Sequence, residues 1–193
     1  VSVCLGLDAG IKRLSQLNVV IAGFLLLLVF CLGPSIFIIN ALVQNFGSYL
    51  NSLIETATYT EVYETTSWQN GWTLFYFAWW FAWAPFVSLF IARISYGRTI
   101  KEFIIGVLFV PSLIVFVWMG VFGNAAIYQI INNSSNIDEV VSGNFAIALF
   151  SLYDIYPGSQ QLSILSLILI ITFFVTSSDS GSLVASMLSS KSQ

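Results

Sequence analysis

Apolar residues run almost uninterrupted at four places along the chain, at about residues 18–43, 72–94, 103–122 and 162–188. Each run reaches the roughly 20 residues that a helix needs to cross a bilayer. Gly33-Pro34 interrupts the first run and Pro85 the second. In a membrane such breaks mark kinks held by neighbouring helices, often beside a cavity. Between the first two runs the pattern changes. Phe46, Tyr49, Leu50, Leu53, Ile54 and Ala57 recur at helical spacing in a polar stretch, which predicts an interfacial helix over about 44–58 on the outer surface. An ordinary loop with chance spacing is the alternative there. The opening VSVCLGL reads as the tail of an earlier span. The expected fold is an all-α membrane protein of about four transmembrane helices with one outer interfacial helix, filling residues 1–193 as part of a longer chain.

Charge sorts with these runs. Lys12 and Arg13 precede the first, Arg93, Arg98 and Lys101 separate the second from the third, and Lys191 follows the fourth, so all six basic residues fall on one side. The opposite side carries Glu55, Glu61, Glu64, Asp138, Glu139 and Asp154 and no Lys or Arg. The positive-inside rule then places both ends of the chain in the cytoplasm. Composition agrees: 58% of residues are hydrophobic and only 8% charged. The net charge of −3 is spread thinly and offers no basic stripe to nucleic acid.

The chain holds no histidine. It therefore cannot build a Ser-His-Asp or Cys-His catalytic group or an HExxH zinc site, and the expectation is that it is not an enzyme. Cys4 and Cys31 lie in apolar surroundings without CxxC spacing, which predicts buried, inert thiols rather than a disulfide or metal ligands.

The stretch FAWWFAWAP, residues 77–85, packs three tryptophans near the middle of the second run. Tryptophan usually occupies the membrane–water interface. Only Trp72, at the outer end, fits that role; Trp79, Trp80 and Trp83 sit at the midplane. At about 100° per residue Trp72, Tyr76, Trp79, Trp83, Phe86 and Phe90 fall on one stripe, with Trp80 on its shoulder. Packing in a crowded bundle would explain a single ring. Three indole N–H groups need partners that hydrocarbon does not offer, so these rings are expected to face protein or a watery cavity. Aromatic faces without a nearby acid suit a trimethylammonium ligand, at about 1 to 2 kcal/mol per desolvated ring.

The fourth run reads LSILSLILIITFFV, then TSSDSGS, then SLVASML. Ended at Val175, the helix would cover about 21 Å of a roughly 30 Å core, so it is expected to continue, with Thr176 and Ser177 at the midplane. Polar groups at that depth mark substrate or ion pathways. The carbonyl of Phe173 with the hydroxyls of Thr176 and Ser177, at i and i+3/i+4, could offer three oxygens to Na⁺ if local unwinding frees the carbonyl. Hydroxyls bonding back to their own helix or joining two helices are the equal alternative. Asp179, one turn deeper, reads as a charge held by helix ends or a cytoplasmic Arg, with an ion-ligand role left open.

FYFAWWFAWAPFVSLFIARISYGRTIKEF, from Phe75 to Phe103, resembles the signature segment of the betaine/carnitine/choline transporter family, and FFVTSSDSGS, from Phe173 to Ser182, resembles its later sodium-site helix. The resemblance covers the whole chain but only part of a family member, from the end of its sixth membrane helix to its tenth. Tyr96 departs from the pattern, standing where a basic residue is expected. The resemblance implies a partial inverted-repeat bundle. It implies Trp80 as a substrate-facing residue, with Trp79 and Trp83 on the same route, and Phe173, Thr176 and Ser177 as half of a sodium site. It further implies an importer of glycine betaine, choline or carnitine in a bacterial plasma membrane, coupled to Na⁺ or H⁺, with no cofactor and with room for a homo-oligomer. A structural subunit, or a transporter of another substrate class with the same fold, is the competing reading.

Overall fold

A computed structural model describes residues 12–64, 66–132 and 135–189. The opening VSVCLGL with Cys4, and Lys191, lie outside them. Most of the described residues are helical, and none of them forms a strand. Helix α1 spans Lys12–Leu32 and α2 spans Ser35–Thr58; α3, Phe75–Ile94, is entered through a wide turn at Gln69–Leu74. Helix α4, Ile100–Ile104, passes through a second wide turn, Ile105–Phe109, into α5, Val110–Ile131. Two short helices, α6 at Ile137–Asn144 and α7 at Ala148–Tyr153, lead into the long α8, Ser159–Ser189. Four segments are long and apolar enough to cross a membrane: Lys12–Leu32, Gln69–Ile94, Ile100–Ile131 and Ser159–Ser186.

The first run ends earlier than its apolar pattern suggests. Residues 35–43 do not continue the span begun at 18; they open α2, which also takes in the interfacial stretch 44–58. The cause is local. Pro34 lacks the N–H that would continue the α1 ladder. Ser35 Oγ donates to the carbonyl of Phe30 at 2.6 Å, meeting one of the acceptors the helix end leaves open. Gly33 is required because a Cβ there would lie 2.7 Å from the Val29 carbonyl and 3.0 Å from Tyr156 Oη.

The second wide turn has a cause of the same kind. Pro111 leaves the Val107 carbonyl without its i+4 donor, and the turn Ile105–Phe109 lies immediately upstream. Pro85, inside α3, likewise leaves the Phe81 carbonyl without an i+4 donor.

The core lies where α1, α2, α5, α7 and α8 meet, around Leu25, Val29, Ile38, Ala125, Tyr153 and Leu162. Within lipid the exclusion of water between helices drives little, and close packing with interhelical hydrogen bonds does most of the holding. The α2–α5 contact shows both. A Cβ on Gly120 would overlap Leu42, and Asn45 Nδ2 donates to Asn124 Oδ1 at 3.2 Å. Phe46 on Phe116 and Phe37 on Tyr128 add ring contacts at 5.9 and 5.1 Å. Cys31, expected to be buried, is exposed. From Val19 onward α1 is apolar on every side, so its pattern around Cys31 does not tell an inward face from an outward one.

Candidate substrate and ion site

Helix α3 lies on α8 and has no buried residue among those described. Its rings stack along its own axis. Trp72 and Tyr76 are parallel at 5.8 Å, Tyr76 and Trp79 are 5.8 Å apart, Trp79 and Trp80 6.4 Å, and Trp80 meets Trp83 edge-on at 5.7 Å. The predicted aromatic stripe is thus in ring contact from Trp72 to Trp83, with Trp80 bridging Trp79 and Trp83.

A groove of about 440 Å³ separates α3 from α8. From α3 it is lined by Trp83, Phe86, Val87, Phe90 and Ile91, from α8 by Phe173, Thr176, Ser177, Ser180 and Gly181, and from the start of α1 by Ser15. The structure brings Trp83 together with all three residues of the predicted ion set. Trp79 and Trp80 do not line the groove. Trp80 reaches it through its ring contact with Trp83, Trp79 only by way of Trp80, and both are about half exposed.

The polar stretch of α8 remains helical from Ser159 through Ser189, so the local unwinding on which a free Phe173 carbonyl depends is not present. A helix in hydrocarbon keeps its backbone bonds because nothing else is there to meet them. The Phe173 carbonyl is engaged further, since Thr176 Oγ1 donates to it at 2.9 Å and shares that proton with Thr172 O at 3.2 Å. Ser180 Oγ donates to Thr176 O at 2.9 Å. These hydroxyls bond back to their own helix, the second of the two roles open to them. A cation at the Phe173 carbonyl and Thr176 Oγ1 would have to turn the hydroxyl proton aside.

Asn18 was not among the predicted site residues. It is 1% exposed, and its Nδ2 donates to Thr176 Oγ1 at 3.4 Å across the α1–α8 contact. A lone amide opening an otherwise apolar run was the available signal, because a polar side chain at membrane depth is expected to find a partner on another helix.

A second polar cluster holds α5, α7 and α8 together. Gln129 Nε2 donates to Leu152 O at 2.9 Å, and Tyr153 Oη lies 2.8 Å from Ser166 Oγ. Burial pushes the Tyr153 and Tyr156 phenols above their ordinary range, against smaller opposing effects of Ser166 on the first and Gln129 on the second. This cluster stands apart from the α3–α8 groove and ties the connection into α8 to α5.

The chain matches the family model described as "BCCT, betaine/carnitine/choline family transporter" over residues 1–193. It is similar to the glycine betaine transporter of Acinetobacter baylyi, 43% identical over 193 residues, which is 100% of this chain and 29% of that protein. A glycine betaine/proline/choline transporter of Vibrio parahaemolyticus is 41% identical over 184 residues, 95% of this chain and 33% of the relative. An ectoine/hydroxyectoine transporter of Virgibacillus pantothenticus is 41% identical over 186 residues, 96% and 37% of the two chains. The chain therefore spans about a third of the length of the relatives it matches.

Proposed function

Since the chain belongs to the betaine/carnitine/choline transporter family, a family of transporters and not of enzymes, we propose that it is part of an importer of glycine betaine or a related quaternary-ammonium osmolyte such as choline or carnitine. It is an integral membrane protein, with four segments among the described residues long and apolar enough to cross a membrane. Transport would proceed by ion-coupled alternating access, with Na⁺ moving as co-substrate. The observation that carries this reading is the groove in which Trp83 stands beside Phe173, Thr176 and Ser177. An aromatic wall recognises a cation that cannot donate hydrogen bonds, and a cluster of oxygens recognises a small hard one. One groove edged by both chemistries couples the two ligands by proximity.

Trp80 and Trp79 extend the wall outward from Trp83, which makes them the route of the trimethylammonium group. Lys12 and Arg13 at the start of α1, Arg93 near the end of α3, Arg98 in the link to α4 and Lys101 within α4 support a cytoplasmic assignment for the end of the bundle that carries them. Bacterial relatives favour a plasma membrane.

Uptake by the full-length protein in a host lacking its own osmolyte importers tests the reading. Trp80→Ala should nearly abolish glycine betaine uptake with membrane insertion unchanged, and unchanged uptake would count decisively against it. A second reading rests on the ectoine/hydroxyectoine relative. Ectoine carries a ring amidinium instead of three methyl groups, and competition between ectoine and glycine betaine for quenching of tryptophan fluorescence separates the two cargoes.

A further inference from the structure

Asn18 carries an amide but is 1% exposed. Its Nδ2 donates to Thr176 Oγ1 at 3.4 Å, and its Oδ1 is buried without a partner. Leaving such an acceptor unmet costs about 1–3 kcal/mol, so its persistence on a membrane helix points to something it meets at another stage. Thr176 limits what that can be. Its proton is committed to Phe173 O and Thr172 O, so Oγ1 has only lone pairs to offer, and the Asn18 amide covers one of them. An NH₂ group set against an oxygen lone pair does in miniature what a cation would do there. Ser15, one turn earlier on α1, lines the same groove as Thr176 and Ser177. The polar end of α1 therefore borders the groove, and α8 is not its sole source of oxygen atoms.

We propose that Asn18 is a ligand of the cation site. With no cation bound, its NH₂ covers Thr176 Oγ1. When Na⁺ binds, the amide turns over, presenting Oδ1 to the ion beside Thr176 Oγ1, Ser177 Oγ and the Phe173 carbonyl. Turning an amide exchanges a donor for an acceptor with almost no change of shape, so the tight α1–α8 packing survives the switch. The orphaned oxygen gains a partner in the same step. Cation binding is thereby linked to the α1–α8 contact, which supplies a route from ion occupancy to helix movement. This rests on the assignment of Thr176 to an ion site, and the experiment separates the two.

The test uses the purified full-length transporter without osmolyte, and reads the sodium concentration that gives half of the sodium-dependent rise in unfolding temperature. Asn18→Ala should raise that concentration about ten- to hundredfold, as loss of groups at a metal site commonly does. Asn18→Asp, which adds a full charge and two acceptor oxygens, should lower it. If both variants keep the wild-type midpoint while losing stability in sodium-free buffer, Asn18 only joins two helices and the proposal is overturned. Should Asn18→Asp fail to insert, Asn18→Ala decides alone, with a tenfold rise supporting the assignment and an unchanged midpoint overturning it. Thr176→Ala is the reference. A wild-type midpoint there overturns the α8 ion site and the Asn18 role with it, whereas a shift there with none in Asn18→Ala overturns the Asn18 role alone.

Discussion

Trp83 on α3 and Thr176 on α8 border the same groove, one supplying an indole and the other a hydroxyl whose proton is held by its own helix. The pairing sets an expectation for Trp83 that differs from one for a ring used in packing. Trp83→Phe keeps an aromatic face and should retain part of the affinity for glycine betaine. Trp83→Leu keeps bulk but no quadrupole and should weaken binding by about 5- to 30-fold, the equivalent of 1 to 2 kcal/mol. Equal loss in the two variants, read by titration of the full-length protein, would show that Trp83 contributes volume and not ring charge.

Thr176 separates hydroxyl chemistry from shape. Thr176→Ser retains the oxygen that receives the Asn18 amide and should keep sodium-dependent uptake. Thr176→Val is close in size but leaves that buried donor unmatched, so it should lower stability by about 1–3 kcal/mol and remove the sodium response. Thermal unfolding and a sodium titration of uptake check the two effects separately. A Val variant with full sodium dependence would exclude Thr176 from the ion path.

How much of this was legible in the sequence depends on the kind of signal. Runs of apolar residues overlap the four segments that, among the described residues, are long and apolar enough to cross a membrane, because hydrocarbon allows only helices to span it. The aromatic stripe of α3 was legible for the same reason, as helical spacing alone decides which rings share a face. Helix ends were not. Residues 35–43 are as apolar as a span; Gly33-Pro34 marks a kink in the pattern, but that α1 ends there rather than bending depends also on the Ser35 hydroxyl taking the Phe30 carbonyl and on the packing of Gly33 against Tyr156, distant in sequence. Asn18 escaped notice because its meaning lies in Thr176, a residue on another helix. Cys31 was misjudged because a helix that is apolar all round carries no mark of its inner face.

The break after α1 gives a testable coupling. A side chain at Gly33 meets both the Val29 carbonyl and Tyr156 Oη, so Gly33→Ala should destabilise the protein by about 1–3 kcal/mol through overpacking. Tyr156→Phe alone removes a buried hydroxyl that makes no hydrogen bond of good geometry and meets only a weak influence of Gln129, so it should cost at most about 1 kcal/mol. Together the two changes should cost less than their sum, because the phenol oxygen is one of the two obstacles. Full additivity in thermal unfolding would mean that the Val29 carbonyl accounts for the whole effect.

The docking of α2 on α5 depends on close approach more than on any single bond. Gly120 leaves room for Leu42, Asn124 Nδ2 donates to Gly120 O at 2.7 Å, and Asn124 Oδ1 accepts from Asn45. Gly120→Val would push Leu42 away and pull the two asparagines out of reach, whereas Asn45→Ala removes one hydrogen bond, of the order of 1 kcal/mol, and leaves the surfaces in contact. In the full-length protein a disulfide between cysteines placed at 45 and 124 should form readily with Gly120 intact and fail in Gly120→Val. Insertion and the α1–α8 contact should be unaffected, since neither Leu42 nor Gly120 belongs to it. Equal cross-linking in both backgrounds would mean that α2 is held by its aromatic contacts, Phe46 on Phe116 and Phe37 on Tyr128, and that the close approach at Gly120 is dispensable.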